Sequence, residues 1–192
     1  NTLEYIKEGK GIDIDFNAIG VDVPEAYQLI SSGDTDAVFQ LEQGGMKKFM
    51  KDLQPNCLED LIAGISLYRP GPMDSIPKFI ENKLNHKKVT YKCPKLEPIL
   101  KVTYGCIVYQ EQVIEIFRSL AGYTMGQADN IRRAISKKKQ KVIEEERKVF
   151  VYGDEQQGIS GAMAKGIPES VAQSIYDEIV AFANYEIGRA HV

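Results

Sequence analysis

Apolar residues recur three and four positions apart along most of this chain, and each run is cut short by glycine or proline, so the sequence specifies many short helices and few long strands. Leu58, Leu61, Ile62, Ile65 and Leu67 form one such run, which cannot continue into Arg69-Pro70-Gly71-Pro72 because two prolines remove backbone donors and stiffen the turn. Val113, Ile114, Ile116, Phe117 and Leu120 form another, ended by Gly122. Further helices are expected over 2–8, from Pro24 through Ile30, over 47–53, from Asp74 to Lys83, over 126–136, and within 137–152 and 168–182. Asn56 and Glu59 resemble a capping box at one helix start. Short extended stretches are expected at Ala37–Leu41, which reads equally as the entry to a helix, and at Val89–Tyr91. The fold class is mainly α, an irregular multi-helix domain with a few short strands. Its organisation is a first helical half over 1–84, a basic linker or small excursion over 85–98, and a second helical half over 99–192. No internal repeat or low-complexity tract interrupts this pattern. The helix at the N-terminus lacks a cap, which fits a piece of a longer protein.

Charge is distributed unevenly. The 24 basic and 27 acidic residues leave a formal charge of −3. Between Ile131 and Lys141, however, Arg132, Arg133, Lys137, Lys138, Lys139 and Lys141 stand without an acidic residue, which leaves −9 for the remainder. A patch of this kind acts locally, because salt screens it beyond about 8–10 Å. A solvated helix face is the plain reading; an anion site is the sharper one, since arginine forks match phosphate oxygens.

Cys57, Cys93 and Cys106 are an odd number without C-x-x-C spacing, and with two histidines they make no zinc pattern. A reducing cytoplasm is expected. No apolar run approaches the roughly 18 residues of a membrane span, and no signal-peptide pattern opens the chain. Asp13-Ile14-Asp15 places two carboxylates on one face if extended, an arrangement able to bind magnesium, although a Gly-Ile-Asp-Ile-Asp turn is ordinarily a solvated loop. Tyr109-Gln110-Glu111-Gln112 opens an apolar helix with polar side chains that either cap it or bind bases, sugars or anions. Arg69 sits at the rim of the Arg-Pro-Gly-Pro turn, where it either ends a helix or meets phosphate. His191, near the terminus, carries no signal by itself.

Taken in order, Ala37–Gly45 (AVFQLEQGG), Leu53–Pro72 (LQPNCLEDLIAGISLYRPGP), Ile99–Gln112 (ILKVTYGCIVYQEQ), Ala121–Lys139 (AGYTMGQADNIRRAISKKK) and Phe182–His191 (FANYEIGRAH) resemble the bacterial C-family replicative DNA polymerases of the DnaE type. The resemblance covers nearly the whole chain and falls on the family's fingers region. It implies a nucleotidyltransferase whose fingers close over an incoming deoxynucleoside triphosphate (dNTP) and the primer-template DNA. Carried over by position, Arg132, Arg133 and Lys137 meet the triphosphate. Tyr109, Gln110 and Gln112 line the nucleotide pocket, and Arg69 and His191 complete the nucleotide-binding set. Lys138, Lys139 and Lys141 reach the DNA backbone. Near the C-terminus Glu186, Ile187 and Gly188 depart from the family's Gly-Tyr-Gly-Phe-Asn-Lys-Ser-His pattern, which weakens the carry-over to Tyr185 and His191.

The same resemblance assigns the Mg2+-binding carboxylates to a palm region upstream, so Asp13 and Asp15 do not match the catalytic pair and this chain alone is expected to be inactive. Partners implied are palm and thumb of the same chain, with clamp and clamp loader contacting other regions. Two rival readings are a helical nucleic-acid-binding module without nucleotide preference and a purely structural docking domain.

Overall fold

The computed structural model describes residues 2–15, 18–69, 72–85, 89–137 and 140–184. Ten α-helices dominate them: α1 (Thr2–Lys10), α2 (Pro24–Ser32), α3 (Gly44–Leu53), α4 (Leu58–Leu67), α5 (Ile76–Leu84), α6 (Glu97–Leu100), α7 (Gln110–Ile116), α8 (Met125–Ser136), α9 (Gln140–Tyr152) and α10 (Glu169–Asn184). The mainly α reading holds. The short strands do not: among the described residues the extended pairing is a single antiparallel bridge between Asp154 and Ile159. Ala37–Leu41 is a tight turn, with positive φ at Ala37 and Gln40 and with Phe39 84% exposed, so only Leu41 turns inward. Val89–Tyr91 has no strand partner among the described residues.

The chain divides into two compact units, Asn1–Leu61 and Ile62–Val192, the boundary falling within α4. In the first, α2 packs on α3. Val23 is the N-cap of α2 with Pro24 at its first position, and Gly33 closes the helix at φ 72°. Gly44 and Gly45 open α3, whose Phe49, Met50 and Leu53 are buried. The backbone N–H of Asn56 donates to Asp60 Oδ2 at 3.1 Å, so the carboxylate that reaches back at the start of α4 belongs to Asp60 and not to Glu59.

In the second unit α7, α8, α9 and α10 pack around Phe117. Phe117 meets Tyr123 and Phe150 edge-on, at ring-centroid separations of 5.0 and 5.2 Å, and Tyr176 at 6.2 Å. Such edge contacts favour the offset geometry of aromatic quadrupoles and fix ring orientation. The basic stretch over 85–98 contributes Cys93 and Leu96 to this core. Directly after α7 the helix widens to a π-turn over Phe117–Ala121. Lys165 Nζ donates to two of its carbonyls, Arg118 O at 3.3 Å and Ser119 O at 3.2 Å. Two glycines lock the far side. A Cβ on Gly161 would lie 2.3 Å from Gly153 N, and both residues have positive φ, so the hairpin 153–161 closes backbone on backbone and no side chain can replace either hydrogen without displacement. From that hairpin Gly161 N donates to Ala121 O and Ala162 N to Phe150 O, tying the π-turn to the end of α9. This frame sets where α8 begins.

Candidate functional site

α8 starts at a reciprocal cap. Thr124 Oγ1 accepts from the Gln127 N–H at 3.3 Å, while Gln127 Oε1 accepts from the Thr124 N–H at 2.8 Å, which satisfies two donors that a helix start leaves open. Ala128 and Ile135 are buried and fix which face of α8 turns inward. Arg132 and Arg133 then leave the last turns of the helix. They are adjacent cations, and both meet Asp129. Arg132 donates to Asp129 Oδ1 through Nε at 3.2 Å and Nη2 at 3.0 Å. Arg133 Nε lies 2.8 Å from Oδ2. The Arg132 side chain is 15% exposed and that of Arg133 65%. The hydrogen bond from Arg132, reinforced by the charge of Arg133, holds the Asp129 carboxyl below its usual range, so the group is ionised at neutral pH.

The remaining expected site residues have different environments. Lys137 caps the C-terminus of α8, its N–H reaching Arg133 O and Ala134 O, with its side chain exposed. Lys141 is exposed on α9, 3.8 Å from Glu145 one turn on. Lys138, Lys139 and His191 lie outside the described residues. Arg69 is exposed just after α4, and its carbonyl accepts from Met73 N–H at 3.3 Å; Pro70 and Gly71 lie outside the described residues. Tyr109 is the extended N-cap residue of α7, and it and Gln110 are half-buried.

Gln112 is the residue whose environment departs from the expectation. It is buried, and its amide is fully engaged inside the protein. Oε1 accepts from Val108 N at 2.9 Å and Tyr109 N at 3.0 Å. Nε2 donates to Thr103 Oγ1 at 2.8 Å and Ile99 O at 3.2 Å. Thr103 in turn donates to Cys106 O at 2.7 Å. An amide has two donors and one acceptor oxygen with two lone pairs, so this environment leaves nothing for a ligand. Gln112 therefore fixes the backbone at Val108 and Tyr109 and does not line a pocket. Asp129 is the reverse case: sequence reasoning passed over it, although its position three and four residues before two arginines was a readable signal.

The other titratable groups belong to the interior. Glu146 on α9 accepts from Tyr123 OH at 2.5 Å; burial pushes its carboxyl up. Burial also pushes the Tyr123 phenol up, and the Cys106 thiol to about 11. A thiol so held is not a nucleophile near neutral pH, and all three cysteines are free. Asp13 meets Lys7 Nζ at 2.7 Å, and no group of three His, Cys, Asp or Glu side chains among the described residues is placed to hold a metal ion. These residues do not fit a magnesium site. None of the described helices is long and apolar enough to cross a membrane.

The chain that carries this paired-arginine cluster has known relatives in sequence. Residues 1–158 match the sequence model of the bacterial DNA polymerase III alpha subunit finger domain, and the chain belongs to that family. It is 44% identical over 98% of its length to the DNA polymerase III subunit alpha of Staphylococcus aureus (strain COL). It is 45% identical over 97% of its length to that of Staphylococcus epidermidis (strain ATCC 12228 / FDA PCI 1200). The chain spans 17% of the length of these relatives.

Proposed function

We propose that this chain is the fingers part of a DNA-directed DNA polymerase and that the C-terminal half of α8 binds the triphosphate of the incoming dNTP. The observation that carries this reading is the convergence of Arg132 and Arg133 on one surface carboxylate, which puts two permanent cations side by side at a single place. Guanidinium groups aimed at the β- and γ-phosphates stabilise charge that develops as the leaving pyrophosphate separates. Exposed Lys137 adds a third, adaptable cation. Tyr109 and Gln110, placed by the Gln112 network at the start of α7, are positioned to meet the base or sugar, and Arg69 a further phosphate. Lys141, exposed on α9, meets the template-primer backbone in this reading, and the sequence positions of Lys138 and Lys139 assign them the same role. The carboxylates and Mg2+ that perform nucleotidyl transfer belong to other parts of the polymerase in this reading. So do its contacts with clamp and clamp loader.

The test is steady-state kinetics on the full-length polymerase containing this chain, with the Arg132→Ala, Arg133→Ala double variant beside it. Each lost charge-assisted bond costs roughly 1.5–3 kcal/mol, or about tenfold or more in affinity. The KM for dNTP is expected to rise at least tenfold while the affinity for primer-template DNA changes by less than about twofold. A fall in DNA affinity with an unchanged KM would instead assign the arginines to the nucleic-acid backbone.

A further inference from the structure

Arg132 and Arg133 are neighbours in sequence, and neighbours on a helix diverge. At 3.6 residues per turn their side chains leave the axis about 100° apart, so two adjacent arginines do not by themselves serve one ligand. Here they do share one partner. Asp129 is three residues before Arg132 and four before Arg133, the two spacings at which helical side chains meet, and each of its oxygens takes one arginine. The geometry of the bonds is asymmetric in an informative way. Arg132 is engaged through Nε and Nη2, and Arg133 through Nε. Asp129 therefore leaves Nη1 of Arg132 and both Nη atoms of Arg133 unengaged. The carboxylate thus takes one edge of the Arg132 fork, Nε and Nη2, and only the Nε of Arg133, which leaves three terminal nitrogens of the pair for another anion.

We propose that Asp129 is a positioning residue for the triphosphate: it draws the two guanidinium groups together and orients their terminal nitrogens toward one polyphosphate ligand. The inference rests on the assignment of Arg132 and Arg133 to the nucleotide. Its sign is opposite to that of simple charge. Removing a negative group beside an anion site ought to tighten phosphate binding through the field alone, whereas removing a positioning group loosens it, because each arginine must then lose side-chain entropy on its own when the ligand arrives. The partial burial of Arg132 restricts that side chain, so the effect falls most heavily on the freely exposed Arg133.

The experiment compares Asp129→Asn, Asp129→Glu and Arg132→Ala, Arg133→Ala, together with the Asp129→Asn change on the double-alanine background, all in the full-length polymerase. The readouts are KM for dNTP, kcat, and the inhibition constant of inorganic triphosphate. Asp129→Asn is expected to raise KM and the triphosphate inhibition constant in equal proportion, by about three- to tenfold. Asp129→Glu should restore part of the loss, and Asp129→Asn should do nothing further once both arginines are gone. If the double-alanine variant raises KM but Asp129→Asn leaves it unchanged or lowers it, the positioning role is overturned and the nucleotide assignment stands. If the double-alanine variant leaves KM unchanged, both fall.

Discussion

The start of α7 and the end of α8 use polar side chains in opposite ways. At the start of α7, Gln112 is buried and its amide is saturated by Val108, Tyr109, Thr103 and Ile99, so the polarity is consumed in fixing the backbone. At the end of α8, Asp129, Arg132 and Arg133 satisfy one another at the surface and still direct charge outward. The first network reaches thirteen residues back to Ile99, and the second is contained within 129–133. The difference is burial: an amide sealed from water must have every bond made by protein, whereas a surface cluster can leave donors to solvent or to a ligand.

The largest effect should follow from opening the sealed network. Gln112→Ala leaves Thr103, Ile99, Val108 and Tyr109 to find other partners, and about 3 kcal/mol of stability is expected to go. For a chain of this size that is a fall in melting temperature of roughly 6–12 °C by calorimetry. An unchanged melting temperature would mean that water replaces the amide, and the contrast with α8 would dissolve.

A second test uses the interior carboxylate of Glu146, which, unlike Asp129, meets no cation among the described residues. Burial raises the Glu146 carboxyl above its ordinary value of 4.5. Between that ordinary value and the raised one the folded chain holds more protons than the unfolded chain, so stability falls as pH rises through this window. Glu146→Gln lacks that slope and should gain on the wild type as pH rises across it in parallel denaturation series. Parallel curves would show that the Tyr123 hydroxyl compensates burial in full. The smallest effect belongs to the open side: Arg133→Ala should leave the melting temperature within experimental scatter, since an exposed pair contributes little to stability. A marked loss would place Arg133 in the scaffold.

Helix content, most boundaries and the basic segment were legible in the sequence because they rest on local rules: 3.6-residue periodicity, glycine and proline stops, uncompensated charge. Ala37–Leu41 was misread because a β-like composition there serves a turn with two positive-φ residues, which composition does not encode. The π-turn over 117–121 was invisible for a related reason. Its carbonyls are met by Lys165 and by the hairpin 153–161, both remote in sequence. Within the candidate site the arginines were legible by charge, but Gln112 reads the same whether it faces a ligand or the core, and only packing decides. Asp129 is harder to read, because it stands outside the like-charged run and only helical spacing links its carboxylate to the two arginines.

The approach of Gly153 to Gly161 gives this fold a spectroscopic fingerprint. Since the space a side chain would fill on Gly161 is taken by Gly153 N and Cα and by Tyr152 C, an α-proton of Gly161 lies against the Gly153 backbone, and a nuclear Overhauser contact between the two residues is expected. That cross-peak depends on no charged group and on no ligand. It would therefore show, in any variant at 129, 132 or 133, whether the hairpin that ties the π-turn to α9 had kept its shape.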